Sequence, residues 1–263
     1  MMNIVVCIKQ VPAISDIEID RASNNLVRVG APSMMNPADR YAIEEALVLR
    51  DTCGGTVTVL SMGAATVGET LREAIAMGAD KGIIVSDERL RGSDTLATAK
   101  VLVKAIERVG AVDLVLCGKR STDGDTGQVG PAIAERLGWL QFTYANKLTM
   151  PIEGTIEAER ENHHGIETIE GKLPAVCTIT EKCNTPRIPK IKGKMAAKQA
   201  VFDVWRLEDL ELSPSEVGMT GSRTKVTRIF PPAVRETGVM IHEANEAQSV
   251  KILITALLAE NLI

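Results

Sequence analysis

Four short, unbroken apolar runs, Asn3 to Ile8, Thr56 to Ser61, Gly82 to Val85 and Val112 to Cys117, alternate with stretches of helical periodicity. Strands apolar at every position are covered on both faces, and strands joined by helices pair in parallel through crossovers. The intervening helices are expected at Pro37 to Asp51, Thr66 to Met77 and Ser93 to Val109. The last carries Leu96, Ala99, Val103 and Ile106 along one face. Asn36 before Pro37 reads as a helix cap followed by proline in the first turn. The fold class that follows is α/β, a doubly wound and mostly parallel sheet.

Several segments depart from this rhythm. Residues 17 to 29, "IEIDRASNNLVRV", alternate around an Asn-Asn turn and predict a surface hairpin. After a fourth helix near Gln128 to Leu137 the texture becomes β-rich, with "GIETIEG" and "LPAVCTIT" expected to extend the sheet with antiparallel strands. Residues 184 to 198, "NTPRIPKIKGKMAAK", hold two prolines and a basic cluster without hydrophobic period, and predict an exposed loop. Phe202 to Pro232 offers little core material. The final "EAQSVKILITALLAENLI" places Val250, Leu253, Ile254, Leu257 and Leu258 at helical spacing, a helix that needs a docking surface. The domain division expected is 1–200 for the nucleotide-binding body and 201–263 for an extended C-terminal arm.

Composition excludes several function classes. The net charge is -4, charged residues of both signs are interspersed, and aromatics make up 3% of the chain, which argues against a nucleic-acid partner. No segment reaches the roughly 18 uninterrupted apolar residues of a membrane helix, and the apolar start is cut by Lys9. The five cysteines form no C-x-x-C pair, which points to a reducing, cytoplasmic compartment rather than to a disulfide framework. His163 and His164 have no cysteine or carboxylate at ligand spacing, so no metal site is expected. G-x-S-x-G, H-E-x-x-H, G-x-G-x-x-G and Walker loops are all absent, and no side chain is nominated as catalytic.

Ligands of an open parallel sheet bind beyond the carboxyl ends of its strands. The loops there are Lys9 onward, residues 61 to 64, residues 86 to 95 and the glycine-rich "GKRSTDGDTGQ". In the last, main-chain amides and the hydroxyls of Ser121, Thr122 and Thr126 are expected to hold a diphosphate. Asp123 and Asp125 then either cap the next helix, fix the loop through Asx turns, or accept from ribose hydroxyls. A capped turn with no ligand is the plain alternative.

A series of motifs then occurs in order: "VVCIKQVP", "MNPADRYAIEEAL", "AMGAD", "DLVLCGK", "DGDTGQVGP", "LPAVCTIT" and "PRIPKIKGKMAAK". Over nearly its whole length the chain resembles the electron transfer flavoprotein beta subunit. The resemblance implies an adenine-nucleotide-binding α/β domain, paired with an alpha subunit on which the C-terminal arm docks. It also implies a nucleotide site whose matching positions are Cys7, Asn36, Met62, Gly118, Thr122, Asp123, Gly124, Asp125, Thr126, Gly127 and Gln128. The compact "DGDTGQVGP", with "GSDTLAT" at 92 to 98, is similar to the bifurcating branch. That branch holds a second FAD here and oxidises NADH, sending electrons to a flavoprotein dehydrogenase of the acyl-CoA or hydroxyacid type and to a low-potential acceptor such as ferredoxin. Ser93, Asp94 and Thr95 are the added dinucleotide contacts this implies. A non-bifurcating subunit would hold AMP instead, and a stand-alone nucleotide-binding module is the alternative from another class. By the same resemblance the 184 to 198 stretch is a partner-recognition loop anchored by Ile191. His163, His164 and Gly165 depart from the family pattern and are expected to form a solvent-facing turn.

Overall fold

The computed structural model describes residues 1–13, 19–20, 25–26, 32–150, 152–227, 230 and 238–263, with backbone only at 19–20 and 25–26. It divides into a compact unit, Met1–Thr227, and a second unit, Arg228–Ile263. In the first unit the chain runs β1 (Met2–Ile8), β2 (Gln10–Pro12), β3 (Ile19–Asp20), β4 (Asn25–Leu26), β5 (Ser33–Met35), α1 (Pro37–Cys53), β6 (Gly55–Met62), α2 (Gly68–Met77) and β7 (Lys81–Val85). It continues through α3 (Thr95–Val109), β8 (Leu114–Gly118), α4 (Val129–Leu137), β9 (Leu140–Thr149), β10 (Thr155–Asn162), β11 (Gly165–Lys172), β12 (Ala175–Ile179), α5 (Ile191–Gln199), β13 (Asp203–Trp205) and α6 (Gly218–Gly221). The second unit holds α7 (Glu246–Ala259).

The main sheet has nine strands in the order β11-β10-β9-β12-β8-β1-β6-β7-β13. From β9 to β13 every neighbouring pair is parallel, and β10 and β11 add an antiparallel edge. The unbroken apolar character of β1 has the expected cause. Ile4, Val6 and Ile8 pack into the cluster that contains α1 and α2, while Val5 and Cys7 pack into the one that contains α3 and α4. The winding direction reverses between β1, which leads through α1 to β6, and β8 on its other side. Such a reversal is where open α/β sheets form their crevice, here at the carboxyl ends of β1 and β8.

Sequence expectation and structure differ at several points. β12, read from "LPAVCTIT", is a parallel strand seated between β8 and β9 rather than part of the antiparallel extension. Leu96 is exposed although Ala99, Val103 and Ile106 on its expected face are buried. Residues after 200 do supply core: β13 pairs with β7, and Leu207, Leu210, Leu212 and Val217 are buried, so the compact unit reaches Thr227. Each such side chain contributes roughly 1.5–3 kcal/mol of burial. The hairpin is seen as the β3–β4 pairing, with Asn25 in a strand; its turn, 21–24, lies outside the described residues. His163 and His164 form the exposed turn between β10 and β11, where Asn162 accepts from the His164 N–H at 2.8 Å.

Candidate functional site

The crevice is organised around one buried carboxylate. Asp39, in the first turn of α1, accepts from the Lys9 N–H at 2.7 Å and from the Asn36 amide at 2.8 Å, and also from the Gly118 N–H. It thereby ties the end of β1, the start of α1 and the end of β8 to one point. Burial pushes its carboxyl up to about 7 even though these three donors favour the charged form. Gly118 must lack a side chain, because a Cβ there would collide with Asp39 Oδ1 and Ala38.

Asn36 occupies the cap position of α1, but its side chain does not cap the helix. Its amide donates to the Arg120 carbonyl at 3.0 Å, and its oxygen accepts from the Thr122 N–H at 3.2 Å. The residue therefore pins the glycine-rich loop over the crevice. Cys7 and Cys117 lie opposite each other on β1 and β8 and are buried. The Cys7 thiol, then burial, pushes the Cys117 thiol up, so Cys117 stays neutral. Met62 packs at the end of β6 against the cluster on the α3 and α4 side.

The loop answers why aspartates stand among its glycines. Asp123 accepts from the Lys9 ammonium at 2.7 Å and from its neighbour's Gly124 N–H at 2.8 Å. Burial opposes its charge, but Lys9, Ser121 and Gly124 hold its carboxyl below the ordinary value. Asp125, at φ 53, pairs with Arg120 at 3.0 Å. Lys119 pairs with Glu181 at 2.6 Å. Each cation of the loop is thus matched by a carboxylate, and the aspartates fix the loop.

What remains unmatched is main chain and hydroxyl. The N–H groups of Thr126, Gly127 and Gln128, and the hydroxyls of Thr122 and Thr126, have no hydrogen-bond partner among the described residues. They precede the N-terminus of α4, where the helix dipole adds to their attraction for an anion. Gly127 sits at φ 62, and a Cβ there would come within 2.9 Å of the Tyr144 hydroxyl. Free amides, free hydroxyls and a glycine held open fit a phosphate cradle. Thr95, the first residue of α3, donates to Gln128 Oε1 at 2.9 Å and joins that helix to the cradle.

Ser93 and Asp94 are committed elsewhere. Asp94 caps α3 through the Ala97 N–H at 2.9 Å and accepts from the Arg223 and Thr224 N–H groups at 2.8 and 2.9 Å. The Ser93 hydroxyl donates to the Leu90 carbonyl at 2.7 Å and accepts from the Gly218 N–H at 3.1 Å. These two residues clasp the chain from 218 to 224, so their polar groups are engaged within the protein. Of the three residues suggested as added dinucleotide contacts, Thr95 is the one in contact with the loop. Asp39 and Tyr144 are residues of the site that the sequence does not single out, whereas Lys9 opens one of the loops expected there.

The 184 to 198 stretch is not wholly loop, since α5 begins at Ile191. Ile191 is 79% exposed. The base of this segment is held by two consecutive buried glutamates of α1. Glu44 binds the Arg187 guanidinium, with contacts of 2.9 to 3.1 Å, and Glu45 accepts from the Asn184 amide at 2.9 Å. In the second unit, Val250, Leu253, Ile254 and Leu258 of α7 are exposed. No described helix is long and apolar enough to cross a membrane.

The profile of the electron transfer flavoprotein domain covers residues 23–210. The chain is 42% identical to the electron transfer flavoprotein subunit beta of Thermoanaerobacterium thermosaccharolyticum over the full length of both. It is 41% identical to the caffeyl-CoA reductase-Etf complex subunit CarD of Acetobacterium woodii, over 91% of this chain and 92% of the relative. It is also 39% identical to Protein FixA of Azorhizobium caulinodans, over 96% and 92% of the two chains. The chain belongs to the electron transfer flavoprotein family, as a beta subunit.

Proposed function

We propose that this beta subunit holds FAD in the crevice between the ends of β1 and β8, and that the complex with its alpha subunit passes electrons from NADH to a flavoprotein dehydrogenase and to a low-potential acceptor such as ferredoxin. The observation that carries the reading is the cradle at 122–128. Its amides at 126–128 and the hydroxyls of Thr122 and Thr126 are free among the described residues, whereas every cation beside it is already paired. A ligand held there is gripped by main chain, as a nucleotide phosphate is at a helix N-terminus. FAD bound at this place supplies hydride acceptance from NADH and onward transfer of electrons.

The chain's own residues position and do no acid–base chemistry. Asp39 and Asn36 set the distance between the two strand ends and the loop; Thr95 and Gln128 fix the side wall. Ile191, exposed on α5, is the anchor for the dehydrogenase, and the apolar side chains of α7 meet the alpha subunit. The choice of FAD over AMP rests on the compact loop and on the relatives. One of these is named as part of a caffeyl-CoA reductase-Etf complex, which also supports an acyl-CoA-type partner. The cytoplasm is the compartment consistent with this role.

Anaerobic titration of the native heterodimer with NADH tests the reading. Loss of flavin absorbance with each addition is expected. Flavin that stays oxidised in excess NADH, in a protein that carries AMP, would reject it.

A further inference from the structure

Tyr144 holds a conformation that its residue type disfavours. It lies in β9 at φ 59, in the left-handed region that bulky L-residues rarely enter. The register between β12 and β9 shifts between Cys177 and Ile179, and the Tyr144 N–H donates to the Thr178 hydroxyl at 2.8 Å. A bulge of this kind redirects a side chain out of the sheet's alternation. The result is specific. The Tyr144 hydroxyl stands against Gly127 of the cradle, 2.9 Å from where a Cβ on that glycine would sit.

Among the described residues, no hydrogen bond of the Tyr144 side chain accompanies this strain. The side chain is 46% exposed, and its hydroxyl makes no hydrogen bond among the described residues. Backbone strain persists where its surroundings enforce it, and it gathers at sites that bind or react. Here the strained residue brings a donor beside Gly127, whose amide, like that of Thr126, has no partner among the described residues.

We infer that Tyr144 is a ligand-contacting residue of the crevice, whose hydroxyl donates to an oxygen of the phosphate that the 126–128 amides hold. This rests on reading the crevice as a nucleotide site. It does not depend on whether the nucleotide is FAD or AMP, since both present a phosphate.

The test uses heterodimer freed of nucleotide in its beta subunit, with FAD and AMP as separate calorimetric probes. Tyr144→Phe keeps the ring and removes the donor; about tenfold weaker binding of whichever nucleotide the wild type binds is expected, with an unchanged thermal midpoint. Tyr144→Gly is expected to weaken binding at least as much without lowering the midpoint, because glycine adopts this φ freely. Wild-type affinity in Tyr144→Phe overturns the inference while leaving the crevice a nucleotide site. A Tyr144→Gly variant that melts several degrees lower yet binds as tightly as wild type would make Tyr144 a structural residue. Failure of the wild type to bind either probe rejects the crevice itself, and the inference with it.

Discussion

Gly127→Val is expected to empty the beta-subunit site while leaving the chain folded. Valine at φ 62 is forced into a left-handed conformation that costs about 1–2 kcal/mol. Its Cβ would also press on the Tyr144 hydroxyl. The Tyr144 ring can move aside, but the strain at φ 62 is relieved only by moving the loop, and the loop carries the amides that form the cradle. Pairing in the neighbourhood is independent of this residue: Asp123 stays with Lys9, and Asn36 stays with Arg120 and Thr122. Nucleotide retained through gel filtration should fall at least tenfold, with the far-ultraviolet dichroism unchanged. Full retention by Gly127→Val, or by a variant with a bulky residue at Thr126, would move the site to another loop.

The second large effect is expected at Ile191. A side chain this exposed at the first turn of α5 gains roughly 1.5–3 kcal/mol when a partner buries it, a factor of about ten to a hundred. Ile191→Ala should therefore lower kcat/KM for electron delivery to the dehydrogenase by that factor. NADH oxidation with an artificial acceptor should be unaffected, because the crevice proposed for the nucleotide lies at the ends of other elements. Equal loss of both activities would count against the anchor. The fixed base of the segment makes the comparison clean, since Glu44 and Glu45 hold Arg187 and Asn184 whatever stands at 191.

Much of the site was legible because local chemistry writes it. Four apolar runs announced β1, β6, β7 and β8, and the loops after them had to converge once those strands paired in parallel. The glycines and hydroxyls of 121–128 single out this loop by residue type alone. What stayed hidden depends on partners distant in sequence. "AVCTI" has no direction of its own, and β12 is parallel because β8 and β9 flank it. α5 is lysine-rich with little hydrophobic period; it packs on α2, where Gly193 allows approach to the Ala76 carbonyl, and Arg72 donates to the Ala197 carbonyl at 2.6 Å. Asp94 opens a helix, and its second oxygen accepts from Arg223 and Thr224, some 129 residues on, a contact that no local pattern announces. The strain at Tyr144 has no sequence signature at all.

A redox-active dinucleotide, rather than a mononucleotide, is expected to fill the cradle. Denaturing the native heterodimer and quantifying every released nucleotide tests it most directly. The account predicts a second FAD for each one carried by the alpha subunit, and no stoichiometric AMP. A single FAD accompanied by an equal amount of AMP would contradict it.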